Sequence, residues 1–394
     1  MSGLGLLRGR VAALAAVIAV ILVSGTWFAL TRASAQPKTG RDAAAGRVAQ
    51  NPAARHAAQA SSGPVRVLSV RPASHARQAD GAAPIRVIFS EPLAADSPLP
   101  TLSPSILGSW RANGSTVEFV PARGYPPLTH VKLVIPGGSS GVRSADGGLL
   151  AARVVDRFVT GAYSTLRLEQ LLAQLGYLPL NWEPVPGAAP VPSTDANAQL
   201  SAAYSPPPGT FLWSRHYPLA LQSMWHAGQP GIILTGAVMA FESDQNMSMD
   251  GAAGPAVWNA LLHAVAQGQN STHGYTYAYV SEGSPETITI WHNGRRVLHT
   301  PVNTGIPGRP TFPGTFPVYL RYRFQIMKGT NPDGSKYADP VEFVSYFNGS
   351  DAVHYYPRGS YGWPQSLGCV ELPYTQAQQA WPFLTYGTLV TVAA

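Results

Sequence analysis

The 394-residue chain is poor in charge and rich in turn-forming residues. Only 12% of its residues are charged, against roughly 25% in ordinary globular proteins, and it contains 39 glycines and 36 prolines. This composition argues against a coiled coil, a mostly helical protein and a polytopic membrane protein, and it indicates strands, turns and loops. The length predicts about two to four domains.

The net charge of +7 is unevenly distributed. Residues 1–60 hold seven Lys or Arg and one Asp, which makes +6 and leaves +1 for the remainder. The basic character therefore describes an N-terminal tail rather than a basic groove. Because the chain has neither a basic stripe nor a helical recognition motif, we expect no nucleic-acid partner.

The N-terminal 1–35 segment predicts the compartment. Residues 11–30 are apolar or weakly polar throughout and follow two arginines, Arg8 and Arg10. This length spans a bilayer, and the preceding charge places the N-terminus inside. We favour a single-pass membrane anchor over a cleaved signal peptide, for which residues 33–35 offer an Ala-Ser-Ala cleavage site. Either interpretation places the bulk of the protein outside the cytoplasm.

A disordered linker over 36–63 is expected next, because this segment has almost no large apolar residue. The first domain is predicted over 64–161. Short segments that read as strands recur there about every ten residues, at 85–89, 117–120, 131–135 and 154–160. Such spacing is typical of a β-sandwich. The segment resembles bacterial immunoglobulin-like modules, and no catalytic constellation appears in it, so we interpret it as a spacer or packing module.

The second domain is predicted over 162–270. Its first helix carries leucines at 168, 171, 172 and 175, and its last carries Trp258, Leu261, Leu262 and Val265, both with helical periodicity. The order LxxLLxxLGY, AVMAFE and DGxxGPxVWxALL resembles the three-helix peptidoglycan-binding module of cell-wall enzymes. An insert of about 50 residues, 181–230, departs from that pattern. Two functions stay open, glycan binding and structural support of the catalytic domain.

The third domain, 271–394, is predicted to be β-rich. Alternating segments at 275–280 and 287–291 indicate strands, and the His-Asn-Gly sequence at 292–294 is a strong hairpin signal. A long loop is expected over 328–340, with enough glycine and polar residues to act as a mobile lid. A short helix and a final strand are expected to close the domain.

The chemistry is predicted at Cys369, the one cysteine of the chain. A thiol is a few per cent ionised at neutral pH and gains nucleophilicity from a nearby base. His354 lies 15 residues before it and is the candidate base. The backbone N–H groups of Gly368 and Cys369 are candidate donors to a tetrahedral oxyanion. No Ser-x-x-Lys or His-Glu-x-x-His sequence offers another nucleophile or a metal site, so neither metal nor cofactor is expected.

The stretch from His354 through the sequence Ser366-Leu367-Gly368-Cys369 resembles the catalytic domain of YkuD-type L,D-transpeptidases, as does the upstream PTFPGTFPVY. The resemblance implies that His354 deprotonates Cys369, that the thiolate attacks the third residue of a peptidoglycan stem peptide, and that an acceptor amine resolves the acyl-enzyme into a 3→3 cross-link. It also implies acylation of Cys369 by carbapenem β-lactams, and an enzyme of the cell envelope.

Two positions depart from the family pattern. Leu367 replaces a histidine that usually supports the site, and Glu371 stands where an arginine is common and helps to anchor a substrate carboxylate. Ser366 and Tyr355 are further candidates for site support. Two rival functions stay open. One is an L,D-carboxypeptidase in which water resolves the same acyl-enzyme, and the other is a wall-binding scaffold whose catalytic site has decayed.

Overall fold

The computed structural model describes residues 63–122 and 124–394. The predicted membrane anchor and nearly all of the predicted linker lie outside this part of the chain. Within the described residues, no helix is both long enough and apolar enough to span a bilayer. The described chain is mainly β, as the composition predicts.

Residues 65–159 form two packed antiparallel sheets, in the strand orders β1-β2-β5-β4 and β3-β6-β7. The strands are β1 (Val67–Arg71), β2 (Ile85–Phe89), β3 (Thr101–Ser103), β4 (Gly108–Asn113), β5 (Thr116–Pro121), β6 (His130–Ile135) and β7 (Val154–Val159). Alternate residues of the longer strands point inward, such as Val131 and Leu133 of β6, and they enclose a core of their own. The immunoglobulin-like resemblance of this sandwich stays a prediction.

Residues 165–267 form the helical module, which contains both helices that the leucine and tryptophan spacings predict. Its elements are α1 (Thr165–Gln174), β8 (Leu180–Pro184), α2 (Ala196–Tyr204), β9 (Gly209–Trp213), α3 (Leu219–Gln222), α4 (Ile232–Asp244) and α5 (Pro255–Gln267). Pro255 starts α5 at the position where a missing N–H costs nothing, and Gly268, with φ 65°, ends it. The insert forms the β8–β9 hairpin and two short helices. Its side chains Phe211 and Trp213 pack on the helical core.

The helical module and the C-terminal domain share one hydrophobic core. The buried leucines of α1 belong to the same cluster as Tyr277 and Leu389 of the C-terminal domain. Two glycines, Gly236 and Gly387, let the helical module approach the C-terminal domain closely. A Cβ on Gly236 of α4 would lie 2.6 Å from the carbonyl oxygen of Gly387, and a Cβ on Gly387 would lie even closer to the carbonyl oxygen of Gly236. A side chain at either position would force the helix off the sheet.

The C-terminal domain packs two sheets around a second core, in the orders β12-β11-β10-β18-β13 and β14-β15-β16-β17. Its elements are β10 (Thr276–Ser281), β11 (Thr287–His292), β12 (Arg295–Pro301), β13 (Gly314–Pro317), β14 (Leu320–Thr330), β15 (Lys336–Asn348), β16 (Asp351–Tyr355), β17 (Val370–Leu372), α6 (Tyr374–Ala380) and β18 (Leu389–Ala393). Asn293 and Gly294 turn the β11–β12 hairpin with φ of 50° and 73°, as the Asn-Gly signal predicts.

The prediction of a long loop over 328–340 is wrong. Strand β14 continues to Thr330 and β15 begins at Lys336, with Lys328 paired to Ala338, so only 331–335 form the turn of a β-hairpin. The turn is built by Asp333, whose carboxylate accepts the Ser335 N–H at 2.9 Å. The strand ends are polar on both faces, and therefore lack the alternation by which strands are recognised in a sequence.

Candidate active site

The parallel pairing of β16 with β17 brings the predicted nucleophile and base together. The register pairs Val353 with Val370 and His354 with Glu371. Side chains alternate across a sheet, so the two valines enter the core while His354 and Cys369 face the opposite side. There they line one cavity of about 440 Å³.

Cys369 carries a protonated thiol in this setting. Its side chain is half-buried, and Sγ lies 3.6 Å from the Ser350 carbonyl oxygen. Burial raises the pKa of the thiol above its ordinary value, and the nearby carboxylates of Asp351 and Glu371 raise it further. The thiol is therefore protonated at neutral pH, and it could act as a nucleophile only with a base to take its proton.

His354, the predicted base, lines the same cavity. The residue is only 2% exposed, and its Nδ1 lies 2.9 Å from the carbonyl oxygen of Tyr355. Since a carbonyl oxygen only accepts, Nδ1 carries the proton and Nε2 is left as the acceptor. That Nε2 is buried and has no hydrogen-bond partner among the described residues. Burial also lowers the pKa of His354, so the imidazole is neutral at pH 7 and able to take a proton.

Ser366 and Gly368 shape the loop that presents the nucleophile. The Ser366 hydroxyl donates to the Cys369 carbonyl oxygen at 2.6 Å and accepts the Gly368 N–H at 3.1 Å. Gly368 has φ of 122°, and a Cβ there would lie 2.7 Å from Asp351 Oδ1. Only glycine suits this position. Because its N–H is engaged by Ser366, the predicted oxyanion site depends first on the N–H of Cys369.

Glu371 forms a bidentate ion pair with Arg358, a residue that the sequence analysis missed. The Nε–Oε2 and Nη2–Oε1 distances are 2.7 and 2.8 Å, and Nη2 also donates to the Gln365 carbonyl oxygen at 3.1 Å. The guanidinium stacks over Tyr356, 4.7 Å from the ring centroid. Although position 371 holds a glutamate in place of the common arginine, the cavity still contains a guanidinium, because the β16–β17 connection supplies Arg358. No linear motif marks Arg358.

The other two predicted support residues differ in where they point. Leu367 lines the cavity and offers only an apolar surface. The ring of Tyr355 packs against Tyr374 on the core side, with ring centroids 5.0 Å apart, so this residue reaches the site only through its carbonyl oxygen.

The β14–β15 hairpin supplies a wall of the cavity that the sequence did not reveal. Its contributions include Gln325, Met327, Tyr337 and Asp339. These residues lie 30 to 44 positions before Cys369 in an apparently structureless polar stretch. Only the hairpin register brings them to the nucleophile.

Comparison with known families identifies the domain that carries this site. Residues 276–392 match the model of the YkuD family, the L,D-transpeptidase catalytic domain. The predicted catalytic domain is thereby confirmed for these residues. No curated protein matches the chain.

Several solved structures show a weaker likeness. An L,D-transpeptidase from Mycobacterium smegmatis is 16% identical, with 84% of this chain and 100% of that chain covered and a TM-score of 0.29. L,D-transpeptidase 3 from Mycobacterium tuberculosis is 14% identical, with 83% and 98% covered and a TM-score of 0.29. The catalytic domain of the E. faecium L,D-transpeptidase is 26% identical over 30% of this chain and 96% of that chain, with a TM-score of 0.28. The assignment rests on the family model, since TM-scores this low carry no weight.

Proposed function

We propose that this protein is a peptidoglycan L,D-transpeptidase that forms 3→3 cross-links through an acyl-enzyme on Cys369. The observation that carries the proposal is the buried, neutral His354, whose Nε2 is an acceptor with no partner and lines the cavity that holds the thiol. An unsatisfied buried acceptor costs about 1–3 kcal/mol, and such a cost is typical of groups kept ready for chemistry.

The reaction proceeds in two halves. His354 Nε2 takes the thiol proton as Sγ attacks the carbonyl carbon of the third stem residue. The carbon–nitrogen bond to the terminal D-Ala breaks, and the proton passes from His354 to the leaving amine. The amine of a neighbouring stem then attacks the thioester and gives up a proton, which returns through His354 to the thiol. The Cys369 N–H is the candidate donor to the oxyanion in both halves.

Arg358 is the candidate anchor for a carboxylate of the donor stem. Its Nε and Nη2 are engaged by Glu371 and Gln365, which leaves both Nη1 protons without an acceptor among the described residues. An arginine held in this manner loses little further freedom on binding, and charge-assisted hydrogen bonds are strong. Glu371 then acts as a positioning residue.

The experiment that tests the mechanism is the intact mass of the protein after incubation with a carbapenem, beside Cys369→Ala. Attack of Sγ on the lactam carbonyl opens the ring, so a single adduct with the full carbapenem mass is expected on the wild type and none on the variant. No adduct on a folded wild-type protein would favour a decayed scaffold instead.

Transpeptidation is separated from carboxypeptidation by the fate of the acyl-enzyme. With disaccharide-tetrapeptide as substrate, the proposal expects cross-linked dimer together with released D-Ala. Release of D-Ala without dimer would identify water as the acceptor and overturn the transferase part of the proposal.

We further infer that the helical module supports the catalytic sheet. The shared core and the Gly236–Gly387 approach favour this role over free glycan binding, because the module's apolar surface is already used. The proposed location is the cell envelope, with residues 11–30 as the anchor.

A further inference from the structure

The outer face of sheet β3-β6-β7 carries a basic groove that the proposed function does not use. The groove has a volume of about 730 Å³ and lies between β6, β7 and the segment 75–77. Its lining includes three cationic side chains, Arg77, Lys132 and Arg157, and two histidines, His75 and His130. The near-zero net charge outside the N-terminal tail concealed this cluster, since acids elsewhere balance it.

Two of these cationic side chains lie directly opposite each other on neighbouring strands. Lys132 of β6 and Arg157 of β7 are register partners, and both are exposed on the outward face. Directly opposite side chains of an antiparallel pair have Cβ atoms about 4.5–5.5 Å apart, and like charges there are destabilising. Within residues 63–122 and 124–394, no carboxylate forms an ion pair with either of them or with Arg77.

The carboxylates closest in sequence to Arg157 and Arg77 make hydrogen bonds of their own. Asp156 lies on the inward face of β7 and accepts the backbone N–H of Arg157 at 2.7 Å. Asp80 is occupied by the Ala82 N–H and by the Ser201 hydroxyl. The local positive charge is therefore uncompensated by the protein.

The segment 75–77, which forms the third wall of the groove beside β6 and β7, is held to β7 by backbone hydrogen bonds. The His75 N–H donates to the Arg157 carbonyl oxygen at 2.7 Å, and the Val159 N–H donates to the Ala76 carbonyl oxygen at 2.7 Å. His75 has φ of 62°, a left-handed conformation that costs free energy for a residue other than glycine. The groove is thus a built concavity with a fixed wall rather than a chance meeting of flexible side chains.

We propose that this groove binds a linear, phosphate-bearing polyanion. Lys132 on β6, Arg157 on β7 and Arg77 on the segment bonded to the edge of β7 all line the groove, so three cations form a row across the strands that suits an extended chain with repeated anionic groups. A groove encloses such a chain, whereas a flat lipid surface meets only its rims. The bound polymer would hold the protein in place while the cavity of Cys369 acts on a separate substrate.

The test compares two double variants of the full chain, which share the basic tail. Lys132→Gln/Arg157→Gln removes the opposed pair, and Arg66→Gln/Arg111→Gln removes two exposed cations associated with the other sheet of the same sandwich. Binding of linear polyphosphate is measured over a salt series. We expect the first variant to weaken binding at least about 10-fold and to lower the slope of log K against log salt by about two, and the control to change binding less than about 2-fold.

The thermal unfolding midpoint of each variant shows whether a loss of binding comes from unfolding. Removing the opposed charges relieves repulsion, so K132Q/R157Q should melt no lower than the wild type. Equal losses of polyphosphate binding in both variants would overturn the proposal. So would a wild type that binds phosphatidylglycerol vesicles but not polyphosphate, because the partner would then be a lipid surface.

Discussion

The Cys369–His354 pair and the Arg358–Glu371 pair line the same cavity and come from the same two chain segments. Only Arg358 and Glu371 are hydrogen-bonded to each other, and we call theirs the closed pair. Arg358 and Glu371 join through two hydrogen bonds of 2.7 and 2.8 Å. Cys369 and His354 are not hydrogen-bonded to each other, and the imidazole Nε2 has no partner in the described structure.

The difference separates two uses of ionisable groups in one cleft. A satisfied pair stabilises the fold and fixes a guanidinium in space, whereas an unsatisfied neutral pair stores an acid and a base whose proton can still move. Substitutions of Arg358 or Glu371 should therefore change stability and binding, and substitutions of Cys369 or His354 should change the rate.

The largest expected effect is on acylation by His354→Gln. Loss of a general base costs about 10²–10⁴ in rate. Glu371→Gln is the matched control from the closed pair and should cost less than about 10-fold. Both rates are followed by intact mass after carbapenem addition, and equal losses would show that the two pairs do not differ as described.

The next effect is on stability, from Arg358→Met. Only 6% of the Glu371 side chain is exposed, and without its partner it becomes a buried, unpaired carboxylate. We expect the free energy of unfolding in urea to fall by about 1–3 kcal/mol.

Two further variants test whether the unpaired carboxylate of Glu371 causes this loss of stability. Arg358→Met/Glu371→Gln should recover part of the loss, because no charge is then stranded. Arg323→Gln, which opens the exposed pair with Glu342, should cost about 1 kcal/mol or less. A double variant as unstable as Arg358→Met would contradict a stranded carboxylate as the cause.

A smaller effect is expected in the pH dependence of stability. Burial lowers the pKa of His354 in the folded protein, whereas the unfolded chain takes a proton near the ordinary value of about 6.5. The contribution of His354 is therefore complete above about pH 6.5 and is lost as the pH falls toward the folded pKa. The drop in thermal midpoint between pH 7 and pH 5 should be smaller in His354→Gln, and an unchanged drop would place the titrating group elsewhere.

The smallest effect is expected from Tyr355→Phe. The ring faces the core against Tyr374, and the carbonyl that holds His354 is retained. The acylation rate should stay within about 2-fold of the wild type. A loss approaching that of His354→Gln would assign the hydroxyl a role at the site.

The sequence predicted what depends on local pattern. The strands of the sandwich, the first and last helices of the helical module and the Asn293–Gly294 turn all follow from periodicity and turn chemistry. Cys369 and His354 were predicted because a single candidate nucleophile and a spaced candidate base are visible along the chain. Their meeting, however, depends on the parallel β16–β17 register.

What the sequence did not predict depends on pairings between distant segments. Arg358 joins Glu371 across a connection that has no motif, and the paired strand ends on either side of the 331–335 turn were predicted to be loop. The core shared by the helical module and the C-terminal domain is, however, indicated by the sequence of α4. Helix α4 is apolar on almost every side, which is typical of a helix buried between two partners.

The contact between Gly236 and Gly387 also limits how the chain can be divided. A fragment beginning at residue 271 would keep every residue of the cavity, but it would expose to water the sheet surface around Tyr277 and Leu389 that the helical module now covers. An apolar patch of this kind promotes self-association. Recombination that shuffles the catalytic domain between proteins must therefore carry the helices with it, whereas the sandwich has a closed core of its own and meets α2 through hydrogen bonds such as that from the Tyr204 hydroxyl to the Tyr125 carbonyl oxygen.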